Sequence, residues 1–477
     1  MSTNLPQKNW RVSFGCLSDP EGVFLVARIA IIFPPTKAVT VMPPLGLGYL
    51  AAVLRQAGHE VDVYDLARRH LRLPELRQAL AERRPPYIGL SIMTPNYLGA
   101  RETAAMLRRL PYRPTLMIGG AHVSVHPERS LDDFWADYAL VREGEETLPA
   151  LIAALESGRE PRDIPGAVYR RDGELIDTGP APLIADLDKL PWPAWDLLAP
   201  ERYPPIPHQL FVRRLPVAPI LTTRGCPFSC SFCATTWLFG SKVRCRDPHD
   251  IVAEMTHLAD RHGIREFHIE DDNPTLDRAH IENFCHALLA AGRRWLFKFP
   301  NGVMVNTLDD ALIALLARAG CYQISLGIET LDESTRIGKT VEFKRLDGII
   351  AAAKRVQMQT QGLFVIGLPN EDEATINRSI EASTKLGLDF AHYGAFVPLP
   401  GSKWGDEIQK TGVDFTNINF FSASGLIPHD AQLIKRIQRR AILRFYLRPR
   451  ILWNILRVAK LRQLGGVIYT ARKYLLG

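Results

Sequence analysis

Two successive series of short apolar runs alternating with amphipathic stretches constrain the fold of this chain more than any other feature. Strand, helix, strand, helix in this rhythm demands parallel sheets. The first series runs over residues 28–160. Its predicted strands are Arg28–Phe33, Glu60–Tyr64, Tyr87–Met93, Thr115–Ile118 and Tyr138–Val141. Helices are expected at Gly46–Ala57, capped by Gly58, and at Glu75–Arg84, Tyr97–Leu110 and Leu148–Glu156. The second series begins at Pro216, with strands at Pro219–Thr223, Glu266–Glu270, Leu296–Phe299, Gln323–Gly327, Gly362–Ile366 and Ala391–Phe396. Between them fall helices His249–His262, Asp277–Ala291, Asp309–Ala319, Leu346–Gln357 and Glu373–Leu386. The expected α/β architecture is an N-terminal doubly wound, Rossmann-like parallel sheet, then a partial (β/α)6 barrel, then a helical C-terminal tail. In both kinds of sheet, ligands bind beyond the carboxyl ends of the strands.

The remaining segments divide the chain further. Residues 1–27 have no clear period and read as an extension. Residues 161–205 hold seven prolines from Pro180 to Pro205 and read as a linker, with a small hairpin around Arg171-Asp172-Gly173. The barrel is expected over 206–401 and the basic, mainly helical region over 402–477. With 477 residues, 46% apolar and 23% charged, the chain is globular and long enough for two to four domains. That composition excludes a disordered or fibrous chain. No apolar run reaches membrane-spanning length, and Val23–Phe33 is short and contains Arg28, so neither a membrane span nor a signal peptide is expected. Seven cysteines, three of them within eight residues, are too few and too clustered for a disulfide scaffold, and a reducing, cytoplasmic location is expected.

Three of the cysteines lie on one short loop after the first strand of the second series, Arg224-Gly225-Cys226-Pro227-Phe228-Ser229-Cys230-Ser231-Phe232-Cys233. Three thiolates at C-x3-C-x2-C spacing suit a soft metal or an iron–sulfur cluster. A zinc site would need a fourth ligand, for which Cys245 is the nearest candidate. Cys16, Cys285 and Cys321 are scattered and read as packing residues.

The triplet, with aromatic Phe232 before its last cysteine, resembles the radical S-adenosylmethionine (SAM) superfamily. The resemblance implies a [4Fe–4S] cluster on Cys226, Cys230 and Cys233 that binds SAM and cleaves it to a 5′-deoxyadenosyl radical. It further implies SAM contacts from Phe232, from Glu270, Asp271 and Asp272, from Asn301, from Glu329 in a G-x-E element, and from Gly367 in a G-x-P turn. No catalytic side chain is assigned.

In the first series no G-x-G-x-x-G follows Phe33, and Gly338-Lys339-Thr340 lacks the upstream glycine and strand of a phosphate loop. The strand-end loops are instead glycine-bearing, which lets backbone approach a large flat ligand. The run from Pro43 to Val61, the Gly119–Glu128 segment, Gly144–Thr147 and Leu190–Asp196 resemble the cobalamin-binding domain that precedes some radical SAM barrels. That resemblance implies cobalamin contacts from Leu45, Gly46, Ser91, Thr94, Gly119, Gly120, His122, Glu143, Gly144 and Glu145. The D-x-H-x-x-G motif that supplies a cobalt ligand elsewhere is missing, so His122 is expected to hydrogen-bond locally or touch the corrin edge.

The charge is unevenly placed. Twelve Lys or Arg and no acid fall between Ala431 and Gly477, which leaves the first 430 residues at −5 of the net +7. Ile434–Leu464 reads as two basic amphipathic helices split by Pro449. Three uses remain open: a cap on an acidic body, an interfacial pair on anionic lipid, and nucleic-acid binding, for which no motif is present. The resemblance as a whole implies an enzyme that methylates an unactivated carbon of a hydrophobic or natural-product-type substrate through methylcobalamin. Its partners would be a small-molecule or lipid-like substrate and a flavodoxin- or ferredoxin-type electron donor, with no nucleic acid and peripheral membrane contact through the tail. A cobalamin-using radical cyclase without methyl transfer is the alternative, and a non-catalytic corrinoid or iron–sulfur sensor is the alternative of another class.

Overall fold

A computed structural model describes residues 26–36, 42–68, 71–204, 212–332, 334–335, 337–338, 342–411 and 430–458. The extension up to residue 25, Cys16, Lys339, Thr340 and the tail beyond 458 lie outside the described residues. No helix among the described residues is long and apolar enough to cross a membrane.

The first sheet has five parallel strands, β1 (Arg28–Phe33), β2 (Glu60–Asp65), β3 (Tyr87–Ser91), β4 (Thr115–Gly119) and β5 (Tyr138–Leu140), in the order 2-1-3-4-5. The alternation in β1 shows why the sheet is covered twice. Ile29 and Ile31 pack with Leu47, Ala51 and Leu54 of the helix Leu45–Gln56. Ala30 and Ile32 point the other way, onto Leu76, Leu80, Ala100 and Ala104. A strand buried on both faces reads as a continuous apolar run. The strand order reverses between β1 and β3, which opens a crevice beyond their carboxyl ends.

The proline-rich stretch is more than a linker. Its hairpin, β6 (Ala167–Arg171) and β7 (Glu174–Asp177), turns through Asp172 and Gly173 and extends the first sheet antiparallel to β5. Two short helices, Ala121–Val125 and Pro127–Phe134, also fill the connection between β4 and β5, where none was expected.

The second sheet is the six-stranded partial barrel: β8 (Val217–Ile220), β11 (Glu266–Ile269), β12 (Leu296–Val303), β13 (Cys321–Glu329), β14 (Gln359–Ile366) and β15 (Phe390–Ala395), parallel throughout. Between β8 and β11 lies a two-stranded antiparallel ribbon, β9 (Thr223–Arg224) and β10 (Arg244–Cys245). Phe267, Ile269, Phe297, Phe299, Ile324 and Leu326 join the outer helices in one core. The alternate residues Glu266, His268, Lys298, Gln323 and Ser325 are buried on the opposite, concave face. Burial pushes the Lys298 ammonium down to about 8, against the pull of Glu266 and Glu270. Cys285 and Cys321 are buried packing residues of this core.

Pro449 splits the tail helices into Ala431–Tyr446 and Pro449–Val458. The first buries Ile434, Ile437, Ala441 and Phe445, and is tied to β15 by Tyr446 Oη donating to the Ala391 carbonyl (2.7 Å) and Gln438 Nε2 to that of Tyr393 (2.6 Å). It therefore caps the barrel edge.

Candidate active site

The ribbon β9–β10 closes on itself the excursion 225–243 that carries Cys226, Cys230 and Cys233. Its entry needs a glycine: Gly225 has φ +94°, and a Cβ there would run into the Lys242 carbonyl. Main-chain bonds hold the loop's shape, from Cys226 N to Gly240 O (3.2 Å), Ser231 N to Ile337 O (3.0 Å) and Trp404 N to Ser231 O (2.9 Å). Gly338, in the Gly-Lys-Thr run that is no phosphate loop, packs directly on Ser229 and Cys230. All three thiols are half-buried and in no disulfide.

Among the described residues no three His, Cys, Asp or Glu side chains converge on one ion position. Cys245 faces Asp277 instead, with Sγ 3.9 Å from Oδ2, and burial raises its thiol to about 11. The donor set is therefore three accessible soft thiols on one braced loop. That suits an iron–sulfur cluster, in which each thiolate takes a different iron, and a single tetrahedral zinc less well.

Apart from Phe232 on the cysteine loop, the other residues expected at the SAM site lie at or near the carboxyl ends of β11 to β14, in several distinct roles. Asn301 donates from Nδ2 to the Glu270 carbonyl (2.9 Å) and to Glu270 Oε2 (3.2 Å). Phe232 packs on the barrel core, Glu329 ends β13, and Gly367 follows β14 at φ +80°. Asp272 accepts from Thr235 Oγ1 (2.9 Å), which in turn is 3.3 Å from Cys233 Sγ, so this acid braces the cysteine loop. Burial raises its carboxyl.

Asp271, also expected at the SAM site, is enclosed by protein partners. It is 1% exposed, and its oxygens accept from Thr222 N (2.7 Å), Thr223 Oγ1 (2.9 Å) and the Thr222 hydroxyl. A carboxyl so enclosed fixes the step from β8 into β9. Burial pushes it up to about 6 against those bonds.

In the first sheet, Ser91 ends β3, Thr94 follows it, Gly119 ends β4, and Leu45 and Gly46 open the helix after β1. The backbones come close at Gly120, which has φ +104° and whose Cβ would lie 2.6 Å from the Ile92 carbonyl. His122 is buried, its Nδ1 3.2 Å from Thr94 Oγ1 and its ring edge-on to Tyr97. Burial, then His126 and Arg129, lower it to about 4, so it is neutral at pH 7. Gly144 lies beside Leu50.

Glu143 and Glu145, also expected on the corrin side, are bonded to the ribbon. Glu143 accepts from Arg224 Nη1 (2.9 Å), Arg244 Nη1 (2.8 Å) and Ile184 N (2.7 Å), and Glu145 from Arg224 Nη2 (2.7 Å). All four charged side chains are at most 7% exposed. Burial raises the Glu143 carboxyl, but Arg244 and Arg224 outweigh it and the net direction is down. These carboxylates are engaged by arginines of the ribbon. Nearby, Arg142 stacks on Trp237 (5.2 Å), Arg246 pairs with Glu254 (2.7 Å), and Trp195 Nε1 donates to Glu254 (2.9 Å). A strap after β15 closes the far side, with Gln409 Nε2 and His126 Nε2 3.1 Å apart.

The fold and site define a class: a sheet of 2-1-3-4-5 order whose strand-end loops bear directly on a three-cysteine loop at the first strand of a partial barrel. Residues 36–152 match the B12 binding domain, and residues 220–382 match the Radical SAM superfamily. The chain belongs to the radical SAM enzymes that carry a B12-binding domain, whose cofactors are cobalamin, SAM and an iron–sulfur cluster. It is 27% identical over 442 residues to an uncharacterized methyltransferase of Pyrococcus horikoshii, covering 90% of this chain and 94% of that one. It is 28% identical over 390 residues to the anaerobic magnesium-protoporphyrin IX monomethyl ester cyclase of Rubrivivax gelatinosus, covering 79% and 69%. The fold matches that of the radical SAM methyltransferase TsrM from Kitasatospora setae, solved with cobalamin and a [4Fe–4S] cluster, with TM-score 0.68 and 22% identity over 81% of this chain and 75% of that chain.

Proposed function

We propose that the chain methylates an unactivated carbon of a small hydrophobic substrate, with a [4Fe–4S] cluster on Cys226, Cys230 and Cys233 and a corrin over the carboxyl ends of β3 to β5. The carrying observation is the direct bonding of the loop after β5 to the ribbon that bears the cysteines, because methyl transfer needs the two cofactor faces side by side. When bound, the cluster and SAM supply a 5′-deoxyadenosyl radical and cobalamin supplies the methyl group. The protein's part is placement and exclusion of water. Glu270, Asn301, Glu329 and Gly367 line the SAM side at the strand ends. Leu45, Gly46, Ser91, Thr94, Gly119, Gly120, His122 and Gly144 form the corrin side.

The cyclase relative supports a second reading, radical cyclisation without methyl transfer. Anaerobic incubation of the reconstituted enzyme with SAM, hydroxocobalamin and a low-potential reductant separates the two. Methyl transfer yields S-adenosylhomocysteine as well as 5′-deoxyadenosine, and cyclisation yields only the latter. Cys230→Ala is expected to abolish 5′-deoxyadenosine while cobalamin stays bound. Complete absence of SAM cleavage by the loaded wild type would favour a sensor.

The electron is proposed to come from a flavodoxin- or ferredoxin-type donor. The tail is proposed to rest on anionic lipid, because Arg436, Arg440 and Arg444 share an exposed helix face near exposed Leu447, and Trp453 of the next helix is exposed as well. Co-sedimentation with vesicles containing phosphatidylserine, lost on charge reversal of these arginines, is the expected result. Sedimentation indifferent to anionic lipid would refute it.

A further inference from the structure

The excursion 225–243 leaves the barrel through β9 and returns through β10, where Arg224 and Arg244 stand directly opposite one another. Two cations facing across an antiparallel pair repel. Both are nearly fully buried, which sharpens that repulsion. Among the described residues no acid of the barrel pairs with either arginine. Glu143 of the first sheet does, giving one oxygen to each arginine, and Glu145 takes the second arm of Arg224. The Arg224 guanidinium also lies over the Tyr49 ring (5.2 Å), on the helix that follows β1. The cysteine loop is thus gripped at its entry and its exit by groups that belong to the other sheet.

Stability alone does not account for this arrangement. A buried ion pair adds little over apolar packing of the same volume; what it fixes is geometry, through a planar fork that lysine cannot reproduce. The entry contact is two residues from Cys226, and Glu143 and Glu145 flank Gly144 at the corrin side.

We propose that Glu143, Glu145, Arg224 and Arg244 form a positioning clasp that holds the cysteine loop in register with the corrin loops, so that occupancy of one cofactor site is felt at the other. This rests on the cofactor assignment above. Its consequence is a coupling between the sites, reciprocal by linkage.

The test is a hydroxocobalamin titration, by equilibrium dialysis, of the anaerobic full-length protein with and without its reconstituted cluster. The wild type is expected to bind cobalamin with affinities that differ about 5-fold or more between the two states. Arg224→Lys keeps the charge but loses the fork. It is expected to bring the ratio close to one while its cluster-free affinity stays near wild type. Glu145→Gln leaves both Glu143 contacts in place and carries the same test if Arg224→Lys does not fold. Dipolar broadening between cob(II)alamin and the reduced cluster, read by electron paramagnetic resonance, is expected to change in the variant. A wild-type ratio of one, or variants that keep the wild-type ratio and broadening, would overturn the proposal. So would a Glu145→Gln that loses cobalamin equally with and without cluster, since its carboxylate would then be a corrin contact. A wrong cofactor assignment shows itself separately, as missing iron or cobalt before any titration.

Discussion

Asp271→Asn probes the anchor that fixes the step from β8 into β9, from which the cysteine loop follows. The Asp271 carboxyl is completely buried and raised from 3.8 to about 6 by that burial. A carboxyl with a folded pKa above its unfolded value holds its proton more tightly in the native state. Its contribution is therefore intact at low pH and lost as pH rises through 3.8 and then 6. The gap corresponds to about 3 kcal/mol, and roughly half of it is lost between about pH 5 and about pH 7.5. Asparagine keeps an acceptor for Thr222 N and cannot ionise. Urea denaturation followed by tryptophan fluorescence should show the wild type losing about 1.5 kcal/mol more than the variant over that interval. Identical pH slopes for the two proteins would refute the assignment of a buried, titrating carboxyl at this position.

Three further outcomes follow from the geometry. Gly225→Ala combines a left-handed φ, costing about 1–2 kcal/mol, with collision on the Lys242 carbonyl, so it should bind less than half the wild-type iron after reconstitution; full iron content would contradict the loop geometry. Gly120→Ala should weaken hydroxocobalamin binding by about tenfold, the equivalent of about 1.4 kcal/mol, and leave iron unchanged. Unaltered affinity would place the corrin elsewhere. Trp195→Phe removes the donor to a buried Glu254 oxygen and should lower stability by about 1–3 kcal/mol, measured as a shift in urea midpoint; an unmoved midpoint would show the bond to be dispensable.

The strands were legible because burial on one or both faces writes itself into local apolar runs, and β1 coincides with its expected span. β12 and β13 extend past expectation, each into residues at its carboxyl end, across irregular registers that period-two reasoning does not anticipate. The helix Ala121–Val125 is too short to show a helical repeat, and in Pro127–Phe134 only Leu131 and Phe134 mark the apolar face. The cysteine triplet was plain from spacing. The roles of Asp271, Glu143 and Glu145 were not, because their partners lie 49, 81 and 79 residues away in sequence. An acid at a strand end can face a ligand or a distant arginine, and only the tertiary fold decides. Arg224 and Arg244, the residues missed by sequence reasoning, carry one usable signal: arginines at both ends of a cysteine loop that follows a core strand need buried acids.

The central claim, one cluster and one corrin on this single chain, is tested most directly by iron, sulfide and cobalt content after anaerobic reconstitution with hydroxocobalamin. About four irons, four sulfides and one cobalt per folded chain are expected. Iron without cobalt would remove the methyl carrier and with it the proposed reaction, and a folded chain that takes up no iron would contradict the assignment of the three cysteines.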